Sequence, residues 1–258
     1  MTFTFNKYQG TGNDFIIIDN RDTRFNPEDN KIINKLCDRR FGIGADGLIL
    51  VSDHKDYDFE MKYFNSDGHL GSMCGNGGRC TSHFALKKGI AGKNQKFLAA
   101  DGVHEAVAED DIVQLKMGDV VETKVIDGNY FLNTGSPHYV IFRTDVNSID
   151  VGNEGRMIRH SSTFKPGGTN VNFVEILGDG IYVRTFERGV EDETLSCGTG
   201  VTASAIASLL TGHFDTKSVS VKTRGGDLSV SASVSGNHIT DVWLSGPATF
   251  VFEGKFDI

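Results

Sequence analysis

The chain has 258 residues, 38% of them hydrophobic and 23% charged, with a formal net charge of −8. That composition excludes a disordered tail, and an acidic balance with no Lys/Arg block excludes a nucleic-acid binder, which needs a basic face. No apolar run approaches the roughly 20 residues of a membrane span, and the start, Met1-Thr-Phe-Thr-Phe-Asn-Lys7, lacks the basic-then-apolar order of a signal peptide.

The expected compartment is therefore the cytoplasm, with the four cysteines reduced. The 31 glycines and 4 prolines fit a turn-rich sheet protein whose backbone comes close to a ligand. Residues 3–8 alternate like a strand, and 15–19 form a second apolar run. Asn26-Pro27-Glu28 predicts the opening of a helix through about residue 40, with proline near its first turn. Residues 48–52 and 58–64 read as strands. A helix is predicted over 77–88, after Cys74 and closed by Gly89. Short strands follow at 96–100, 103–108 and 112–117. The second half predicts strands near 120–126, 129–133 and 138–143, a short helix near 152–159, and strands near 170–177 and 180–186. A helix over 200–210 and three strands to about 244 complete it. A last strand, 248–256, is free to return to the first half.

Many short strands with one long helix per half predict an α+β fold. The two halves also share a repeat. Cys74-Gly75-Asn76-Gly77 and Cys197-Gly198-Thr199-Gly200 stand 123 positions apart, and the same offset links Thr11-Gly12 with Thr134-Gly135, Gly89 with Gly212 and Gly102 with Gly225. The expectation is two pseudo-symmetric domains, each a curved, mainly antiparallel sheet wrapped around a central helix. The expected boundaries are 1–117, joined by the C-terminal strand 247–258, and 118–246.

The repeated phrase has a physical reading. Glycines let the backbone turn sharply and expose consecutive N–H groups at a helix start. The helix end adds about half a positive charge. A carboxylate can be held there without a basic side chain, and a thiol there is pushed from about 8.5 toward neutrality. Two such thiols acting on opposite faces of one α-carbon would remove a proton and return another, inverting the centre. Cys37 and Cys80 lack a glycine-flanked loop and read as core. Zinc is disfavoured, because no Cys-x-x-Cys pair or histidine cluster accompanies the thiols. Gly42-Ile-Gly44-Ala-Asp-Gly47 has the spacing of a dinucleotide fingerprint but follows a helix and precedes a strand, the reverse of what that turn requires.

At these residues the chain resembles the diaminopimelate epimerases, nearly end to end. The resembling phrases are Gly12-Asn13-Asp14-Phe15, Phe41-Gly-Ile-Gly-Ala-Asp-Gly47, Phe64-Asn65-Ser66-Asp67-Gly68, Met73-Cys-Gly-Asn-Gly-Gly-Arg79, Gly135-Ser-Pro-His138, Asn170-Val-Asn-Phe173, Glu187-Arg188-Gly189 and Ser196-Cys-Gly-Thr-Gly200. The resemblance implies a cofactor-independent isomerase that interconverts LL- and meso-diaminopimelate, commonly as a homodimer. It implies Cys74 and Cys197 as the acid/base thiols, with His138 and Glu187 beside them tuning their pKa values. It implies that Gly75-Asn76 and Gly198-Thr199 bind the carboxylate at the reacting centre. Arg188 and Asn65 would hold the distal carboxylate, Glu187 the distal ammonium, and Asn13 and Asn170 would add polar contacts.

Three departures stand out. Ser136 replaces an asparagine common in the family, Gly47 replaces a glutamine of some members, and the segment 187–197 is one residue longer, adding acid beside the second thiol. Racemases of proline or hydroxyproline share the paired cysteines, but the Glu187-Arg188-Gly189 and asparagine phrases offer groups for a second amino-acid head. A phenazine-type isomerase would lack the paired thiols, and a binding module would not need them.

Overall fold

The computed structural model describes residues 1–257. The chain divides into two compact units, Met1–Leu115 with Gly246–Ile258, and Lys116–Ser245.

The first unit runs β1 (Thr2–Gly10), β2 (Asn13–Asp19), α1 (Asn30–Cys37), β3 (Gly47–Ser52), β4 (Phe59–Asn65), α2 (Gly75–Lys87), β5 (Asn94–Ala99), β6 (Gly102–Glu109) and β7 (Ile112–Lys116). The pairing order is β17 (Thr249–Asp257), β1, β2, β3, β4, β5, β6, β7, parallel at β2–β3 and β4–β5 and antiparallel elsewhere. The C-terminal strand thus returns to pair with the N-terminal one, Thr2 opposite Asp257 and Gln9 opposite Thr249. Its Phe256 stacks on Phe3, at 5.5 Å between ring centroids.

The second unit runs β8 (Thr123–Ile126), β9 (Asn129–Asn133), β10 (Pro137–Phe142), α3 (Val151–Arg159), β11 (Asn170–Ile176), β12 (Gly180–Glu187), β13 (Asp192–Thr194), α4 (Gly198–Leu210), β14 (Ser218–Thr223), β15 (Gly226–Ser235) and β16 (His238–Pro247). Its order is β8, β9, β10, β11, β12, β14, β15, β16, parallel at β10–β11 and β12–β14. Strand for strand, this is the pattern of the first unit. The fold is mixed α and β in two alike units.

The repeat is legible down to the helix ends. Helices α2 and α4 each span 13 residues and take Cys74 and Cys197 as N-caps in extended conformation. Each packs against most strands of its own sheet, so both helices are buried nearly all round. Alanines, serines and threonines on α4 make that close packing possible, and Thr202, Ser204 and Ser208 satisfy their hydroxyls on carbonyls one turn back. Both helices end at a glycine in the left-handed region, Gly89 (φ 66°) and Gly212 (φ 73°).

Local readings failed at three places. The helix predicted from residue 26 starts at Asn30, because Asp29 caps it through the Ile32 N–H while Asn26 closes a turn onto Glu28. Strand β13, three residues long, was not predicted. The offset is 123 only through the helices: the counterpart of Gly102 (φ 131°) is Gly226 (φ 139°), not Gly225, because the loop after α4 holds one extra residue.

Candidate active site

In the first unit, Cys74, Asn76 and Asn13 form one cluster. Cys74 Sγ lies 3.4 Å from Asn13 Oδ1, and Asn76 Nδ2 donates to the same oxygen at 3.4 Å. Asn13 Nδ2 in turn donates to Asp46 Oδ2 at 2.6 Å. Asp46 belongs to the Gly-rich loop, and there Arg39 bridges it to Asp14, while Lys7 pairs with Asp14 at 2.7 Å. Burial raises the Asp14 carboxyl, but hydrogen bonds from Arg39 and Lys7 outweigh it and hold the group far below the usual carboxylate range. The loop is a braced wall of the cysteine cluster, as its order of helix, turn and strand requires.

Arg79 completes this half. It is fully buried, and its Nη2 donates to Asn76 Oδ1 at 3.0 Å and to Thr11 Oγ1 at 3.2 Å. Burial lowers its pKa, but a guanidinium does not lose its proton in a protein. Asn65 stands apart: it closes the turn to Gly68 at the exposed end of β4, and among the described residues no hydrogen bond joins it to the cysteine cluster.

In the second unit, Cys197 is 8% exposed and its Sγ lies 3.4 Å from Thr199 Oγ1. His138, fully buried on β10, reaches that hydroxyl through Nε2 at 2.9 Å. Thr199 therefore stands between His138 and Cys197. Behind the imidazole, Asn172 Nδ2 faces Nδ1 at 3.1 Å, and Thr185 Oγ1 donates to Asn172 Oδ1 at 3.0 Å. Burial pushes His138 down to about 3, helped by the Arg188 charge and opposed by the Asn172 hydrogen bond. It is a neutral imidazole near pH 7. Thr134 Oγ1 holds the Thr199 carbonyl at 2.8 Å.

A third group gathers at Ser136. Its Oγ accepts from Asn170 Nδ2 at 2.9 Å and from Arg188 Nη2 at 3.4 Å, and Asn170 Oδ1 accepts the Arg188 N–H at 2.8 Å. The serine, although shorter than asparagine, ties Asn170 to Arg188. Glu187 ends β12 opposite Asp192, half-buried. In the longer segment before Cys197, Glu191 accepts from Arg159, His160 and the Gly189 N–H. These partners, the Gly189 N–H first, hold its carboxyl below the ordinary value. At Gly47 a Cβ would lie 2.4 Å from the Phe64 carbonyl oxygen and from the Tyr63 ring. A glutamine there requires Tyr63 to move.

A helix start offers backbone donors that suit an anion. The first N–H groups of a helix have no intrahelical acceptor. At the two starts the Gly78 N–H donates to the Cys74 carbonyl (2.7 Å) and the Val201 N–H to the Cys197 carbonyl (2.8 Å). Gly75-Asn76 and Gly198-Thr199 precede those donors. Cys37 and Cys80 are buried, and burial pushes each thiol up to about 12. Sequence reasoning missed Arg79, Thr134, Asn172 and Thr185. Two signals were available: Thr134 repeats Thr11, and Asn172 shares a strand face with Asn170.

Two alike units, each with a cysteine capping its buried helix, narrow the comparison to few families. The sequence pattern described as diaminopimelate epimerase matches residues 5–123 and 130–251. The chain belongs to the diaminopimelate epimerase family. The diaminopimelate epimerase of Flavobacterium psychrophilum is 51% identical over 249 residues, covering 96% of this chain and 97% of that one. That of Aquifex aeolicus is 43% identical over 274 residues, covering 97% and 96%. The fold is wider than the family. A phenazine biosynthesis protein of the PhzF family from Bacillus anthracis superposes with a TM-score of 0.80 at 14% identity, covering all of both chains. A hydroxyproline epimerase from Agrobacterium vitis superposes at 0.70 with 15% identity, covering 98% and 92%.

Proposed function

We propose that this chain is a diaminopimelate epimerase. It interconverts LL- and meso-2,6-diaminopimelate without a cofactor, in the cytoplasm and as a homodimer, and supplies lysine and peptidoglycan precursors. The observation that carries the reading is the matched pair of cysteines, each the N-cap of the buried helix of its own unit, α2 or α4.

The chemistry follows from those groups. The substrate α-carboxylate binds the helix-start N–H groups, which also stabilise the enolate-like charge that develops when the α-proton leaves. One thiolate takes that proton and becomes a thiol. The other thiol gives its proton to the opposite face of the carbon and becomes a thiolate. One C–H bond breaks and one forms, so protons and charge balance and no oxidant is needed. His138 acts on Cys197 through Thr199 rather than by direct proton transfer, because it is neutral and its Nε2 is committed to the hydroxyl. Arg188 and Asn65 hold the distal carboxylate, Arg188 with the planar fork suited to it. Glu187 meets the distal ammonium.

Proton NMR in D₂O tests this with reduced protein and LL-diaminopimelate, and with L-proline in a parallel tube. The expected result is deuterium at one α-carbon as the meso isomer accumulates, with proline untouched. Exchange on proline alone moves the protein to the racemases, and silence in both tubes refutes the reading.

A further inference from the structure

Strand β4 carries a tyrosine that lies across the face of its sheet. Residues paired between neighbouring strands share a face, and so do residues two apart in one strand. The register sets Phe15 beside Gly47, Gly47 beside Asn65 and Ile49 beside Tyr63. Asn13 belongs to the same face, two residues before Phe15. That face meets the start of α2: a Cβ at Gly77 would touch Ile49 Cδ1 and Met61 Cε at 3.3 Å and Cys74 Cβ at 3.6 Å. Tyr63 therefore stands on the Cys74 side of the sheet, in the row that runs from Asn13 to Asn65.

The ring leans along β4 toward Asn65. A Cβ at Gly47 would clash with Tyr63 Cε2 and lie 3.0 Å from Cζ, the carbon that bears the hydroxyl. A Cβ at Gly71, in the segment leading to Cys74, would lie 2.8 Å from Tyr63 Cδ1 and Cε1 and 3.1 Å from Asn65 Oδ1. The two edges of the ring thus fill the places of two side chains. At Gly47 the Phe64 carbonyl oxygen excludes a Cβ as well, whereas at Gly71 the three nearest atoms all belong to the Tyr63 and Asn65 side chains. Phe15, fully buried, meets the ring edge to face at 5.9 Å. Tyr63 itself is half-buried, the setting that suits a phenol with a packed apolar body and a polar tip. A phenylalanine would fill the same space, so packing accounts for the ring but not for the hydroxyl.

We propose that Tyr63 binds substrate, its hydroxyl donating to the distal carboxylate beside Asn65. The inference rests on the functional reading above and deepens it, by adding a second group from β4 at that end of the substrate. Asn65 offers an amide and Tyr63 a hydroxyl two residues away on the same face, and Gly71 leaves both uncovered. Whatever the hydroxyl meets in the free protein, a carboxylate is a stronger acceptor. The distal carboxylate takes no part in the proton transfers, so the contact is alike in ground and transition states and bears on KM rather than kcat. It bears on specificity too, because a substrate without that carboxylate leaves the hydroxyl unmatched.

Tyr63→Phe keeps the ring and removes the hydroxyl, so its thermal melt should match that of the wild type. Its KM for LL-diaminopimelate should rise about tenfold, with kcat nearly unchanged. L-2-Aminopimelate, which keeps both carboxylates and lacks the distal amine, should weaken by a similar factor as a competitive inhibitor. Gly71→Ala, which pushes the ring aside, should raise KM as well. A Tyr63→Phe enzyme with the wild-type KM overturns the inference and leaves the ring as packing, and so does a loss confined to kcat. A raised KM with an unchanged inhibition constant for aminopimelate overturns it too, since the hydroxyl then serves the ammonium. Wild-type protein that does not epimerise diaminopimelate refutes the functional reading itself, and the inference with it.

Discussion

Gly200→Ala and Gly77→Ala make a matched pair, because the two glycines occupy the same place in α4 and α2. At Gly200 an added Cβ would lie 2.5 Å from Asn172 Oδ1 and 3.3 Å from both His138 Cε1 and Thr185 Oγ1. All three neighbours are buried and hydrogen-bonded to one another, so none can give way without breaking the chain to Thr199. Overpacking costs about 1–3 kcal/mol, and disrupting a buried hydrogen bond costs about 1–3 kcal/mol more. At Gly77 the Cβ would meet the Ile49 Cδ1 and Met61 Cε atoms at 3.3 Å, the far ends of flexible side chains. There the strain is small, and alanine regains up to about 1 kcal/mol of helix propensity. Urea melts should therefore show Gly200→Ala destabilised by about 2–6 kcal/mol and Gly77→Ala within about 1 kcal/mol of wild type, with unchanged slopes. Gly200→Ala should also lose most of its epimerase activity. Equal midpoints for the two variants would refute the claim that the His138 chain leaves no room at Gly200.

Cys74→Ala and Cys197→Ala should each abolish α-proton exchange in D₂O, and the serine variants should keep only a trace, since a hydroxyl is a poor base near neutral pH; full activity in either alanine variant sinks the two-thiol mechanism. His138 has a folded pKa of about 3 against 6.5 unfolded, so the unfolded chain binds the proton first and this group's contribution, complete above pH 6.5, is lost as pH falls from 6.5 toward 3. Acidification from pH 7 to 5 should remove about 2 kcal/mol of stability, and His138→Gln should flatten that dependence; an unchanged slope argues against a buried neutral imidazole. Ending the chain at Pro247 deletes β17 and uncovers Phe3 and Phe5, which pack on Phe256 and Phe252. The loss should be about 3–5 kcal/mol, read as a lost or early first melting transition, and an unaltered melt would show that β17 is dispensable.

Periodicity, caps and spacing are local properties, and they carried most of the fold. The offset of 123 announced two alike halves because each Cys-Gly-x-Gly phrase must start a helix wherever it stands. The apolar run after it must be buried against its own sheet. The same locality explains the failures. Asn26-Pro27-Glu28 resembles a helix start, but two side-chain caps compete there and Asp29 wins. A one-residue slip in a loop leaves no trace in the pattern until the next strand's glycine is seen at its positive φ.

Burial and hydrogen-bond partners were decided by the tertiary structure alone. Cys74 and Cys197 read alike in sequence, yet one sulfur faces an amide oxygen and the other a hydroxyl. His138 is neutral because it is fully buried, and Asn172 on the neighbouring strand faces its Nδ1. Arg79 looks like a surface cation one turn into a helix, but β1 and the helix itself enclose it and commit it to Asn76 and Thr11. Desolvation depends on what covers a group from every side. Those covering residues come from strands far apart in the chain, which is information that no single stretch of sequence contains.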